Sequence, residues 1–137
     1  LSWDSTLAGT ESTGAVTGKV TVTLIPGKES TAKFTTSVED TQNFTANTHY
    51  KLANVPAGLV GALKKVSDTV AELSFTGAAT TKVDVSNVAL TFMDSAFTNA
   101  DANLISGSTK TDIAIPLVYS ITTKQKRGRI VSLPKQN

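Results

Sequence analysis

The sequence predicts an all-β fold, and three observations support this prediction. Apolar and polar residues alternate through several short segments, most clearly at 20–24, 70–75 and 88–92. The chain of 137 residues contains 22 Thr and 13 Ser, and β-branched Thr suits a pleated, half-exposed surface. An apolar stripe with helical spacing never persists over three turns, and only residues 96–104 could form a short helical turn.

The first third of the chain predicts two strands after a polar start. Residues 1–14 are small and polar apart from Trp3, so we interpret them as a lead-in segment that contacts the body through this side chain. Residues 15–25 form the clearest strand, because apolar residues alternate with Thr until a Pro-Gly pair ends the pattern. A shorter strand at 32–38 is predicted around Phe34.

The middle of the chain predicts three strands, two of them in a hairpin. After a polar loop, residues 49–55 place Tyr50 and Leu52 on one face of a strand. Residues 59–66 and 70–75 form the next two strands. The Ser-Asp-Thr sequence between them is a turn signal, which predicts a β-hairpin.

The last third alternates strands with longer connections. Residues 88–92 form an alternating strand with Val, Leu and Phe inward, and 83–85 could add a short strand before it. After a loop at 94–108, residues 111–117 form another strand, and 129–133 is either a last strand or part of a linker. Seven to nine short strands separated by turn signals are the usual pattern of an antiparallel β-sandwich.

Composition excludes several classes of site. The chain has no Cys, so disulfides, thiolate metal sites and cysteine nucleophiles are excluded, while the compartment stays open. No apolar run approaches the roughly 20 residues of a membrane helix, so no membrane insertion is expected. The first residue, Leu1, suggests a processed or excised fragment. The net charge of +2 is uneven, because residues 118–137 carry five basic residues and no acid.

Several short motifs are typical of one family of modules. They are Asn54-Val55-Pro56-Ala57-Gly58-Leu59, Ser67-Asp68-Thr69, Leu73-Ser74-Phe75-Thr76-Gly77, Val85-Ser86-Asn87 and the run from Phe92 to Phe97. Together they resemble immunoglobulin-like repeat modules of bacterial surface and adhesin-like proteins, which often occur in tandem arrays. The resemblance covers residues 16–117 and implies an immunoglobulin-like β-sandwich in a secreted or cell-surface bacterial protein. It implies a role in structure or adhesion and transfers no catalytic or binding residue.

These observations divide the chain into three parts. Residues 1–14 are the lead-in segment, residues 15–117 the immunoglobulin-like sandwich, and residues 118–137 a basic C-terminal strand or linker. The tail departs from the pattern of the repeat modules.

The single histidine, His49, does not predict catalysis. A Ser-His-Asp triad would have to use it, but the sequence has no G-x-S-x-G elbow and no second group that marks it as a base. One His without Cys is also a poor basis for a zinc site. We therefore expect a residue at a strand edge and a chain that is not an enzyme.

Two alternatives would use charged side chains for other chemistry. Asp94, Asn99, Asp101 and Asn103 offer hard oxygen ligands for calcium, although their spacing is not that of an EF-hand loop. Turn formation through a side-chain to backbone bond is the better explanation of Asp94. Lys19 and Glu72 could belong to a lysine–asparagine isopeptide bond of the kind found in some adhesins, but Glu72 falls on the polar face of its strand. No other cofactor is predicted.

Aromatic and basic residues suggest two further kinds of contact. Trp3, Tyr50 and Tyr119 could form a platform for sugar rings, whereas Phe75 and Phe92 fall on inward positions. The basic tail could contact a polyanion such as an acidic glycan, or it could be a solvated linker. No nucleic-acid-binding fold surrounds it, so no specific nucleic-acid partner is expected. The candidate contact residues are Lys124, Lys126, Arg127 and Arg129.

The sequence favours a non-catalytic structural or adhesive module that acts as a spacer or display domain. Its expected partners are neighbouring domains of the same protein, with a glycan or another surface protein as alternatives. A carbohydrate-binding module attached to a secreted hydrolase is one competing function. A subunit of a surface filament is another, in which the segment 129–133 would exchange onto a neighbour's sheet edge.

Overall fold

The computed structural model describes residues 1–10, 13–25, 30–81 and 83–117. In these residues the regular structure consists of eleven β-strands and two single 3₁₀ turns at Asp94–Ala96 and Ala102–Leu104, which confirms the all-β prediction. The strands are β1 (Ser2–Ser5), β2 (Ala8–Gly9), β3 (Val16–Thr17), β4 (Val20–Thr23), β5 (Lys33–Phe34), β6 (Tyr50–Ala53), β7 (Leu59–Lys65), β8 (Val70–Gly77), β9 (Val85–Phe92), β10 (Phe97–Thr98) and β11 (Thr109–Ile115).

The strands form two main antiparallel sheets. The first sheet has the order β1-β4-β8-β7 and the second has the order β11-β9-β6. Two short antiparallel pairs, β10-β5 and β2-β3, lie beside them. The predicted hairpin is present as β7 and β8, with Leu63 opposite Leu73.

Described residues of both main sheets contribute to one hydrophobic cluster, and alternation along the strands builds it. Val20 and Val22 of β4 and Leu90 of β9 have no exposed surface, and Phe92 and Ile113 are almost as fully buried. These residues share one cluster although they come from both sheets. Burial of such side chains contributes about 1.5–3 kcal/mol each to the stability of the fold. The inward-facing residues of the alternating segments therefore provide the main stabilisation.

The predicted strand 15–25 is divided into β3 and β4 at Gly18. The backbone of Gly18 has φ of +81°, and a Cβ atom placed there would lie 2.1 Å from the Thr6 carbonyl oxygen. Only glycine tolerates this combination of a left-handed backbone and a close neighbouring chain. The segment 32–38 is a strand only at Lys33–Phe34, because the loop that follows turns back toward β7.

Residues 1–10, which fall in the predicted lead-in segment, contain β1 and β2. β1 extends the first sheet through its pairing with β4, so Trp3 lies opposite Val22. The whole of the tail predicted at 118–137 lies outside the described residues, including the possible strand at 129–133 and the predicted contact residues Lys124, Lys126, Arg127 and Arg129.

Residues 1–9 contact the residues that flank β11, with Leu1 and Trp3 beside its start and Gly9 beside its end, and we call this contact the terminal seam. Three hydrogen bonds hold it: the Leu1 ammonium donates to the Ser106 carbonyl, Trp3 Nε1 donates to the Gly107 carbonyl at 2.8 Å, and the Gly9 amide donates to the Pro116 carbonyl at 2.8 Å. The nine residue-to-residue steps from Gly107 to Pro116 span about 30 Å when extended.

The terminal seam places Leu1 and Leu117 at opposite ends of the molecule. We call them the Leu1 end and the Leu117 end. The Leu1 end is formed by the described parts of the loops at 24–32, 35–49, 66–69 and 93–108, and the Leu117 end by those at 10–15, 54–58 and 78–84 together with residues 116–117. A chain that passes through this fold therefore enters at one end and reaches the other.

Candidate functional site

The most unusual side chain at the Leu1 end is a buried lysine. Lys65 is only 2% exposed, and its Nζ donates hydrogen bonds to the carbonyl oxygens of Thr35 at 3.0 Å and Val38 at 2.9 Å. Two largely exposed carboxylates complete its surroundings, with Asp68 Oδ1 at 3.3 Å and Asp40 Oδ1 at 3.7 Å. The ammonium thus fastens the loop at 35–40 to the end of β7.

The position of Lys65 in the alternating pattern of β7 indicates that it is buried, although its residue type does not. β7 buries Leu59 and Leu63, and Lys65 continues the same inward phase, while its neighbour Lys64 points outward. A lysine on the inward phase of a strand is rarely buried without partners. The partners here are backbone carbonyls of a loop, which no sequence pattern identifies.

The single histidine is a structural residue of the same end. His49 is 9% exposed, and its Nδ1 accepts a hydrogen bond from the Thr45 amide at 2.9 Å. Its ring packs edge-on against Phe44 at a centroid distance of 5.6 Å, and its carbonyl accepts a hydrogen bond from the Met93 amide at 2.8 Å. Burial lowers the pKa of His49, which favours the neutral ring that accepts this bond.

The four predicted calcium ligands lie in the loop between β9 and β11. Asp94 Oδ1 accepts a hydrogen bond from the Ala102 amide at 2.8 Å, and Asn99 Nδ2 donates to the Thr31 carbonyl at 3.1 Å. Asp101 and Asn103 are exposed. The described part of the chain contains no group of three His, Cys, Asp or Glu side chains placed to hold a metal ion. Asp94 and Asn99 thus hydrogen-bond to backbone groups and shape this loop. Calcium binding stays a prediction.

The pair considered for an isopeptide bond forms an ion pair. Lys19 Nζ lies 2.8 Å from Glu72 Oε2, and the two side chains are 49% and 21% exposed. Glu72 lies opposite Thr21 and Lys64 on the outer face of the first sheet, as the polar-face prediction required. This pair is therefore a surface contact between β4 and β8 rather than part of a buried triad.

The suggested aromatic platform of Trp3, Tyr50 and Tyr119 is wrong for Tyr50, which is buried. Tyr50 is 3% exposed, and burial raises the pKa of its phenol while a hydrogen bond with the Leu63 backbone opposes that shift. Trp3 is half-buried and packs on Phe92 at a centroid distance of 5.9 Å. Tyr119 lies outside the described residues. Phe75 and Phe92 are buried as predicted, so aromatic residues serve the core because the inward phase of the strands carries them.

A groove of about 360 Å³ with both polar and apolar lining lies at the Leu1 end. Ile25 and Leu104 on its rim are 70% and 74% exposed. The lining residues are Leu1, Leu24, Ile25, Ser30, Ala32, Leu104, Ile105 and Ser106.

The Leu117 end carries a second, shallower hollow of about 260 Å³, lined by Asp84, Val85, Ser86, Ala114 and Pro116. Val83 beside it is 54% exposed. Neither surface can be recognised in the sequence, because the residues that line each of them lie far apart along the chain.

Comparison of the chain with protein-family profiles, with curated proteins and with solved structures found no match. No helix in the described ranges is both long and apolar enough to cross a membrane.

Proposed function

We propose that this chain is a non-catalytic, immunoglobulin-like β-sandwich module that acts as a spacer or display unit in a bacterial cell-surface or secreted protein. The observation that carries the proposal is the terminal seam, because it separates Leu1 and Leu117 by about 30 Å along the strand direction. A module whose two ends lie at opposite poles lengthens any chain into which it is inserted.

The order of the strands supports the immunoglobulin-like part of the proposal. In constant-type immunoglobulin domains the sheets are ABED and CFG. The sheets β1-β4-β8-β7 and β11-β9-β6 follow the same order when β1 is strand A, β4 strand B, β6 strand C, β7 strand D, β8 strand E, β9 strand F and β11 strand G. The resemblance of residues 16–117 to surface repeat modules points in the same direction.

The use of the polar side chains supports a structural role. Lys65, His49 and Asp94 each direct their polar atoms to backbone groups of loops at the Leu1 end. These contacts hold loops of a sandwich in fixed positions, which a spacer needs for stiffness and a display unit needs for presentation. Such loops are also where an adhesive contact to a glycan or to another surface protein would form.

Pulling on single molecules tests the spacer function. Because the chain has no Cys, one cysteine added at each terminus gives two unique attachment points for force spectroscopy. We expect one cooperative unfolding event that lengthens the chain by about 350–390 Å, the extended length of residues 1–117 less the folded span. Unfolding in several small steps, or extension without a force peak, would contradict a rigid module.

A binding assay tests the carbohydrate-binding alternative. Insoluble polysaccharides should not retain the protein through a planar aromatic site, since Tyr50 is buried in the core. Retention that survives Trp3→Ala would show that sugars bind elsewhere and would favour a display role over a plain spacer.

A further inference from the structure

We propose that His49 makes the loop at 45–49 an acid-sensitive latch, which opens when the imidazole ring binds a proton while the two sheets stay folded. We call residues 45–49 the latch loop. The proposal goes beyond the spacer function, because it concerns how the Leu1 end responds to pH. It starts from the direction of one hydrogen bond, in which the Thr45 amide donates to His49 Nδ1 at 2.9 Å.

This hydrogen bond determines where the imidazole ring can take up a proton. A ring nitrogen that accepts a hydrogen bond carries no hydrogen, so the neutral ring of His49 has its hydrogen on Nε2 and a second proton binds at Nδ1. The new N–H of Nδ1 would then face the N–H of Thr45. Two donors cannot form a hydrogen bond with each other, so the closed loop and the proton exclude one another.

The latch loop is held by a few hydrogen bonds rather than by apolar burial. His49 and Thr45 also pair in the reverse direction, since the His49 amide donates to the Thr45 carbonyl at 2.9 Å. The His49 carbonyl accepts from the Met93 amide at 2.8 Å, and the Thr48 carbonyl accepts from the Ser95 hydroxyl. Residues 45–48 are exposed, and only His49 is buried. Loops with so little apolar burial open more easily than core strands.

No neighbouring charge compensates a protonated ring of His49. Burial alone lowers its pKa, and none of the ion pairs among the described residues includes it. Asp40 and Lys65 pair with each other, and Asp94 accepts a hydrogen bond from a backbone amide of its own loop. The charged side chains on the neighbouring loop at 35–44, on β6, on β7 and on the 3₁₀ turn that begins at residue 94 are Glu39, Asp40, Lys51, Lys64, Lys65 and Asp94.

Opening removes the conflict by taking the ring into solvent. An exposed imidazole has a pKa of about 6.5, so the open loop binds the proton and the closed loop does not. The open population therefore increases as 1 + 10^(6.5 − pH), which is about 25-fold from pH 7 to pH 5. Histidine is the one side-chain type whose ordinary pKa lies in this range, and the chain has a single histidine.

The open latch would change the surface of the Leu1 end. Phe44 is 3% exposed, and the His49 ring packs edge-on against it at a centroid distance of 5.6 Å. Removal of that ring uncovers part of Phe44 and frees the 3₁₀ turn at Asp94–Ala96 from its bonds to Thr48 and His49. A display unit would thus present different loops at acid pH than at neutral pH.

Amide hydrogen exchange of the full chain, followed by NMR at pH 7 and pH 5, tests the latch. The measured quantity is the protection factor, which corrects for the direct effect of pH on exchange. We expect the protection factor of the Thr45 amide to fall by about 25-fold. At pH 5 it should be clearly lower than those of hydrogen-bonded amides in β4, β8 and β9, which exchange only when the sheets open.

Two variants separate the titration from the other contacts of the loop. His49→Asn keeps a side-chain acceptor that does not titrate, so the Thr45 protection factor should be equal at the two pH values. Ser95→Ala is the matched control, because it removes a bond of the latch loop but no titrating group. It should lower the Thr45 protection factor at both pH values and leave the 25-fold ratio unchanged.

A wild-type measurement covers the case in which His49→Asn does not fold. The NMR titration of the His49 ring should have its midpoint below 6.5, and the Thr45 amide shift should change with the same midpoint.

Three results would overturn the proposal. They are a Thr45 protection factor that is the same at pH 7 and pH 5, an equal fall in folded His49→Asn, and equal protection of Thr45 and the strand amides at pH 5. The last result would show that acid opens the whole fold rather than the loop. Force spectroscopy at pH 7 does not depend on the latch, so its failure would concern the spacer function alone.

Discussion

Replacement of Lys65 by methionine should lower the free energy of unfolding by about 2–4 kcal/mol. Lys65 donates two hydrogen bonds to buried carbonyls, and bonds from a charged donor contribute about 1.5–3 kcal/mol each. Methionine keeps most of the aliphatic contact. It also removes the desolvation penalty of a buried charge, which offsets part of the lost hydrogen-bond free energy. For a domain of this size the change corresponds to a fall in Tm of about 8–16 °C.

The adjacent lysine provides a matched control for this prediction. Lys64 is exposed on the outer face of the same strand, so Lys64→Met should change the free energy of unfolding by less than about 0.5 kcal/mol. Urea unfolding followed by fluorescence of the single tryptophan, Trp3, and by circular dichroism measures both variants. If Lys65→Met and Lys64→Met have the same midpoint, the buried ammonium does not stabilise the loop at 35–40 and the reasoning fails.

Three further changes test other contacts. Because the pKa of His49 is lowered in the fold, the unfolded chain binds more protons between pH 6.5 and that lowered pKa, and stability should decline as the pH falls through this window. His49→Asn keeps an acceptor for the Thr45 amide and should show a smaller decline in urea unfolding at pH 5 relative to pH 7. Gly18→Ala should lower the unfolding temperature more than Gly107→Ala. Both glycines have positive φ, but only a Cβ at Gly18 would lie 2.1 Å from a backbone oxygen. Equal falls in unfolding temperature would contradict the close approach. Phe92→Ala should lower the free energy of unfolding, measured in urea, by about 3–5 kcal/mol. A decrease below about 1 kcal/mol would show that the aromatic cluster is not the centre of the core.

The core could be predicted from sequence because it depends on a local rule. Alternation along β4, β8 and β9 assigned Val22, Leu73 and Leu90 to the inward face, and the structure confirms all three. The Ser-Asp-Thr turn likewise defined the β7–β8 hairpin. Each of these inferences needs only residues within one strand or one turn.

The terminal seam and the buried ammonium could not be predicted in this way. β1 is short and polar, and its place at a sheet edge depends on β4 and on Ser106 and Gly107, which precede β11 and lie more than 100 residues away. Lys65 is held by loop carbonyls whose positions follow from the path of the chain after β5. Such contacts arise from tertiary packing, which overrides the local preference of a polar or charged residue for solvent.

The seam also determines when the fold can be completed. Residues that meet in it at the Leu1 end are separated by 105 and 104 positions, so these contacts form only after residues 106 and 107 have been synthesised, although β1 can already pair with β4. Contacts of such long sequence separation slow folding. A nascent chain that ends before residue 109 would have an open edge on β9, because β11 is the strand that pairs there, and it should be sensitive to proteases until β11 is added.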